Sequence, residues 1–207
     1  MKAHTAESQA TVTPDKALQF LKEGNNRFIN NLKINRNLLE QVNDTRDGQW
    51  PFSVILSCID SRTSAELIFD QGLGDVFSVR IAGNILNEDI LGSMEFATKV
   101  VGSKIIVVLG HSKCGAVKGA CDHIEMGNLT TLLNKIQPAI EEEKATTIDR
   151  TSKNAEFVEN VASLNVRLTM QRIRNESPII KDLEDSGQIK IVGGMYDVDS
   201  GKVDFYE

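Results

Sequence analysis

The strongest constraint on this chain is a set of apolar runs too short for ordinary helices and rich in branched residues. SVILS fills residues 53–57 just after Pro51, VFSVRIAG fills 76–83, KIIVVLG fills 104–110 and IKIVGGMYD fills 189–197. Runs that are apolar at successive positions fit strands covered on both faces, because a strand turns alternate side chains to opposite sides of its sheet. Segments with helical period separate them. Strands alternating with helices predict an α/β fold with a mainly parallel central sheet flanked by helices, and VDFYE at 203–207 adds an edge pairing.

The helices carry start signals. Thr13 followed by Pro14 reads as an N-cap with proline in the first helical position, and Leu18, Leu21 and Phe28 give that segment an apolar face. Residues 13–48 are therefore expected to form an N-terminal helical arm, and the polar residues 1–12 a flexible tail. Asn87 is placed to cap a helix with Ile90, Leu91, Met94, Ala97 and Val101 on one face, ending at Gly102. A helix is expected from Gly115 to about Glu125, a longer one from Asn154 to Glu176, and a short one after Ser177-Pro178 that Gly187 closes.

Composition excludes several classes. The 207 residues suit one large domain, and the net charge of −6, without a basic stripe, disfavours nucleic acid. No apolar run reaches bilayer-spanning length. The opening residues contain no apolar core of signal-peptide length, so the expected location is cytoplasmic, or periplasmic if the polar start is the remnant of a processed chain. Three cysteines cannot all pair, which favours metal-binding or catalytic use over a disulfide framework.

Two polar segments stand just beyond the carboxyl ends of two apolar runs, CIDSR at 58–62 and HSKC at 111–114. In parallel α/β sheets this is where sites form. Cys58, His111 and Cys114 are ligand types that zinc prefers, and three protein ligands with one open position define a catalytic zinc site. Asp60 lies two residues beyond Cys58, so it either ligates the metal as a fourth ligand or accepts a hydrogen bond from metal-bound water. Arg62 is a permanently charged fork suited to holding that carboxylate in two places. Two thiolates cancel the charge of a dication, so a carboxylate that aligns the nucleophile has work to do there. Thr63 and Glu66 have the spacing of a capping box. Cys121 reads as a packed structural thiol and His123 as a surface or shuttle histidine. GHSKCGAVKG lacks the glycine and Gly-Lys-Ser/Thr patterns of nucleotide loops.

CIDSR followed by HSKCG resembles the β-class carbonic anhydrases, and the likeness extends from about Thr13 to IVGGMYD through FDQGLGDVFSVRIAGN and GHSKCGAVKGA. The resemblance implies Zn2+ on Cys58, His111 and Cys114, Asp60 and Arg62 as a catalytic dyad, and residues 49–207 as the zinc-binding catalytic domain. It implies reversible hydration of carbon dioxide to bicarbonate and a proton by zinc-hydroxide attack, with Asp60 moving onto zinc in a closed state at lower pH. It also implies substrate contacts at Gln49, Phe77 and Ala82, and a homodimer or dimer of dimers with the arm laid over a neighbour. Ile55 stands where one subgroup has a tryptophan that serves a noncatalytic bicarbonate pocket. The competing readings are a carbon disulfide or carbonyl sulfide hydrolase on the same scaffold, and a noncatalytic zinc-binding homologue.

Overall fold

The computed structural model describes residues 3–206. Its first elements are α1 (Ala6–Ala10), α2 (Pro14–Ile29) and α3 (Leu38–Thr45), followed by β1 (Ser53–Ser57), α4 (Ala65–Ile68) and β2 (Val76–Arg80). A 3-10 turn at Ala82–Asn84 leads into α5 (Glu88–Glu95), and β3 (Ile105–His111) follows. Then come α6 (Gly115–Cys121), α7 (Gly127–Leu133), α8 (Gln137–Glu142), α9 (Ala155–Glu176), α10 (Pro178–Asp185), β4 (Lys190–Tyr196) and β5 (Val203–Tyr206).

The strands form one sheet in the order β2-β1-β3-β4-β5, parallel except for the antiparallel edge strand β5. Alternation along the strands sorts the core into two layers. Val54, Leu56, Ile106 and Val108 face α5, α9 and α10, while Ile55, Ile105, Val107 and Leu109 face α2 and α4. A third apolar cluster, from α6, α7, α8 and the start of α9, closes over the carboxyl end of the sheet and includes Cys58 and Cys114.

The topology places a site. From β1 the chain crosses to β2 on one side and then returns to β3 on the other, so the direction of winding reverses between β1 and β3. Connections diverge at such a switch point and leave a crevice beyond the strand ends. Ser57 pairs with Leu109, so Cys58 lies level with Gly110 and one residue short of His111.

Most of the expected helix starts form. Thr13 accepts from Lys16 N, Asn87 from Ile90 N and Asn154 from Phe157 N. Two boundaries differ. The helix after Asn87 gives way to a π-helical turn at Phe96–Val100 before Gly102 takes φ +93, and the helix from Gly115 ends at Cys121. His123 reverses the chain there with φ 50, a left-handed conformation that stops the helix short of Glu125.

The expectation of a flexible tail is corrected for residues 3–12; residues 1–2 lie outside the described residues. Thr5 and Ser8 cap α1 reciprocally, and the buried amide of Gln9 donates to Pro51 O at 2.8 Å. Ala3 and Val12 are buried as well, and the His4 ring meets Phe52 edge-on at 5.5 Å. A polar stretch packs because its one buried amide is hydrogen-bonded and its few apolar atoms find aromatic partners.

Candidate metal centre

Cys58 leaves the end of β1, His111 ends β3, and Cys114 is the residue from which α6 starts. All three are buried, and their ligand atoms lie within 4.8 Å of one another. The two sulfurs are 4.0 Å apart. Two thiolates on a tetrahedral zinc, each bonded at about 2.3 Å, would stand about 3.8 Å apart. His111 Nδ1 is 2.9 Å from Ser112 O. A carbonyl only accepts, so Nδ1 carries the proton and Nε2 keeps a bare lone pair. That Nε2 is buried with no hydrogen-bond partner among the described residues. A buried lone pair facing two sulfurs is the arrangement a thiophilic cation completes, and the donor set fits zinc.

The electrostatics agree. The Cys114 hydrogen bond holds Cys58 below the ordinary thiol range against burial, with help from the backbone N–H groups of Asp60 and Gly83. The same hydrogen bond, together with burial, pushes Cys114 upward. Without a cation the pair shares one proton; a dication displaces it and takes both thiolates.

Asp60 and Arg62 stand beside this group rather than in it. Arg62 Nε donates to Asp60 Oδ1 at 2.9 Å and Nη2 donates to Oδ2 at 2.8 Å, a bidentate grip, while Arg62 N donates to Oδ1 at 3.0 Å. These bonds hold the Asp60 carboxyl well below the usual carboxylate range, Arg62 first, against a smaller effect of burial. Asp60 is not among the mutually close ligand atoms.

The loop is fixed by contacts the sequence did not reveal. Arg80, at the end of β2, donates from Nε to Cys58 O at 3.0 Å and from Nη2 to Asp60 O at 2.6 Å. Thr63 does not close a capping box. Its hydroxyl reaches Cys58 O at 3.1 Å and Asp60 O at 2.9 Å, Glu66 accepts from Ser78 at 2.6 Å, and Ser64 becomes the N-cap of α4. Ser112 donates to Asp197 at 3.2 Å and accepts from Val198 N at 2.9 Å, which ties the HSKC loop to the chain leaving β4. Nothing local in the sequence marked Arg80 or Ser112 for these roles, and the spacing of Thr63 and Glu66 pointed to a helix cap instead.

Ala82 adjoins the metal group through the next residue, Gly83, whose N–H reaches Cys58 Sγ at 3.3 Å. Gln49 and Phe77 are not brought to it within the chain. Phe77 pairs with Val54 near the start of β1 and packs edge-on against Phe96. Gln49 lies before β1, whose length alone puts roughly 13 Å between its ends at ~3.3 Å per residue. It lines an open hollow with Val42, Thr45 and Leu73. Cys121 is buried in the third cluster away from the ligand group, and His123 is exposed beyond α6.

Comparison with known proteins gives a consistent answer. A family model described as carbonic anhydrase matches residues 53–203. Carbonic anhydrase 2 of Mycobacterium tuberculosis is 36% identical over 195 residues, covering 91% of each chain. A carbonic anhydrase of Mycolicibacterium smegmatis is 32% identical over 197 residues, covering 92% of each. Among solved structures, a β-carbonic anhydrase of Aspergillus fumigatus superposes with TM-score 0.72 at 28% identity, covering 82% of this chain and 81% of that one. One of two tetrameric β-carbonic anhydrases of Sordaria macrospora superposes with TM-score 0.68 at 28% identity, covering 77% and 82%.

Proposed function

The chain belongs to the β-class carbonic anhydrases, and from that premise we propose that it interconverts carbon dioxide and bicarbonate at a zinc ion held by Cys58, His111 and Cys114. The observation that carries the reading is the buried Nε2 of His111, partnerless beside two sulfurs and next to a carboxylate already engaged by arginine. A bound zinc supplies Lewis acidity that makes hydroxide available near neutral pH.

The chain's own residues supply the rest. His111, with its proton on Nδ1, offers Nε2 to the metal without rearrangement. Asp60 stays ionised and therefore accepts without donating. Arg62 takes both lone pairs of Oδ1 and one of Oδ2, so Asp60 would have one lone pair, on Oδ2, with which to accept a hydrogen bond from the attacking water or hydroxide and orient it. Arg62 holds the carboxylate in a bidentate grip and would compete with a bound metal for it. Ala82, and Phe77 brought by a neighbouring copy, offer an apolar wall to a nonpolar gas, and Gln49 of that copy offers an amide to bicarbonate. The separation of Gln49 and Phe77 from the metal group within one chain supports a pocket shared between two copies. Exposed Leu32, Leu38, Leu39 and Val42 on the arm support pairing, and the tetrameric relatives support a homodimer or dimer of dimers.

The test is stopped-flow hydration of carbon dioxide across pH with zinc counted, beside Asp60→Asn and Cys114→Ser. Hydration that rises with pH, falls roughly 10²-fold or more in Asp60→Asn at full zinc occupancy, and vanishes with the metal in Cys114→Ser is the expected result. Zinc-loaded protein that hydrates nothing at any pH would sink the proposal.

A further inference from the structure

Between β2 and α5 the backbone does something costly. Gly83 and Asn84 follow one another in the left-handed region, with φ of 68 and 42. The second is an L-residue with a side chain, it is 2% exposed, and its Nδ2 has no hydrogen-bond partner among the described residues. Left-handed conformations cost a non-glycine residue about 1–2 kcal/mol and persist only where the surroundings impose them. Within the turn, Asn84 N donates to Ile81 O at 2.9 Å. A Cβ on Gly83 would lie 2.8 Å from Ile136 Cδ1, so the α8 side of the third cluster fits closely against the turn.

A distant residue completes the enclosure. Asn165, on α9 and 4% exposed, donates from Nδ2 to Gly83 O at 2.9 Å across 82 positions of sequence. What the turn delivers is the Gly83 N–H, 3.3 Å from Cys58 Sγ. That N–H is a backbone donor aimed at a sulfur of the candidate metal group. Such a bond draws charge out of the thiolate, which matters at a site where two thiolates already neutralise the dication.

We infer that Asn165 is a positioning residue of the metal centre: its amide clamps the left-handed Gly83–Asn84 turn so that the Gly83 N–H stays on the Cys58 sulfur. Without that amide the buried Gly83 carbonyl loses its partner, and the turn relaxes toward a conformation in which the carbonyl finds another. The N–H then leaves the sulfur. The inference rests on the zinc reading above and adds a residue that reaches the metal only through another.

The experiment compares the whole protein with Asn165→Leu and Asn165→Asp, similar in size but lacking the donor, and with Met170→Ala, buried on the same helix against the sheet. Zinc affinity is measured by chelator competition, and the cobalt-substituted forms give the sulfur-to-metal charge-transfer band. Both Asn165 variants are expected to bind zinc about 10–100-fold more weakly. Their cobalt band is expected at longer wavelength, because the Cys58 thiolate becomes richer in charge. Met170→Ala is expected to melt earlier while keeping affinity and band. Wild-type affinity and an unmoved band in both Asn165 variants would overturn the inference, as would equal shifts in Met170→Ala. If neither Asn165 variant folds, cadmium-113-substituted wild type decides: a coupling from the metal to the Gly83 amide proton is expected, and its absence overturns the inference. Wild-type protein that binds neither zinc nor cobalt sinks the zinc reading itself, and the inference with it.

Discussion

Asp70 is the acid that fastens the N-terminal arm to the body, and neutralising it is expected to loosen that junction. Its carboxylate is 5% exposed and takes Arg27 Nε at 2.6 Å, Arg36 Nη1 at 2.6 Å and Ile34 N at 3.2 Å. Burial raises its pKa, but the bonds from Arg27, Arg36 and Ile34 N outweigh burial and hold it below the usual range. Asp70→Asn removes the charge and turns an NH2 toward one of the two guanidiniums. Removing one partner of a buried pair costs about 3–5 kcal/mol, chiefly for the charge left behind. Arg27 is 25% exposed and can rehydrate, whereas Arg36 at 6% cannot, which favours the lower end, about 3 kcal/mol. For a chain of this length that lowers Tm by about 6–12 °C. The assay is thermal and urea unfolding at fixed protomer concentration, since assembly would add its own stability. The pH dependence has a definite sign. A carboxyl depressed in the folded state contributes its stability above the unfolded pKa of about 4, and loses it as pH falls through the folded value. The gap between wild type and variant should therefore close in acid. A gap below about 0.5 kcal/mol at pH 7, typical of an unremarkable surface substitution, or one that widens in acid, would refute the reasoning.

Gly24→Ala should cost more than the usual 1–3 kcal/mol of overpacking, because the new Cβ would sit 1.8 Å from Phe69 O and α2 would have to lift from the end of α4; a loss under about 1 kcal/mol in urea unfolding would contradict this. Metal removal by a chelator should leave Cys58 and Cys114, with sulfurs 4.0 Å apart and one a thiolate, ready to oxidise to a disulfide, a loss of about 2 Da by mass spectrometry that bound zinc prevents. Burial pushes the Cys121 thiol up to about 11, so it should react slowly with thiol reagents at pH 8. Cys121→Ser should leave the zinc count at its wild-type value, and loss of one zinc per chain in that variant would make Cys121 a ligand after all.

The sheet and the ligand triad were legible because they rest on local signals. Branched apolar runs mark β1 and β3, and the soft ligands sit one residue beyond β1, at the end of β3 and at the start of α6. The Asp60–Arg62 grip was legible for the same reason, since its partners are two residues apart. What could not be read were contacts between distant segments. Thr63 has the spacing of a capping box, yet its hydroxyl turns back to Cys58 O and Asp60 O, where two carbonyls compete successfully with a helix N-terminus. The first dozen residues looked too polar to pack because sequence does not reveal that Gln9 finds a carbonyl at Pro51. Arg80 and Asn165 resemble any arginine in an edge strand or any asparagine in a helix until the fold lays them against the loops they hold.

Those loops show how the parts depend on the order of the strands. Because β2 lies outside β1, its last residue, Arg80, can reach across to the carbonyls of the CIDSR loop. Because β3 lies on the other side, His111 arrives beside Cys58 from the strand that flanks β1 opposite β2. The turn after β2 must then cross the carboxyl end of β1 on its way to α5, and it does so at Gly83, where its N–H meets the Cys58 sulfur. The left-handed turn, the donor from α9 and the close fit of Ile136 thus meet at one place, where chain leaving an outer strand passes over the Cys58 sulfur at the end of an inner one.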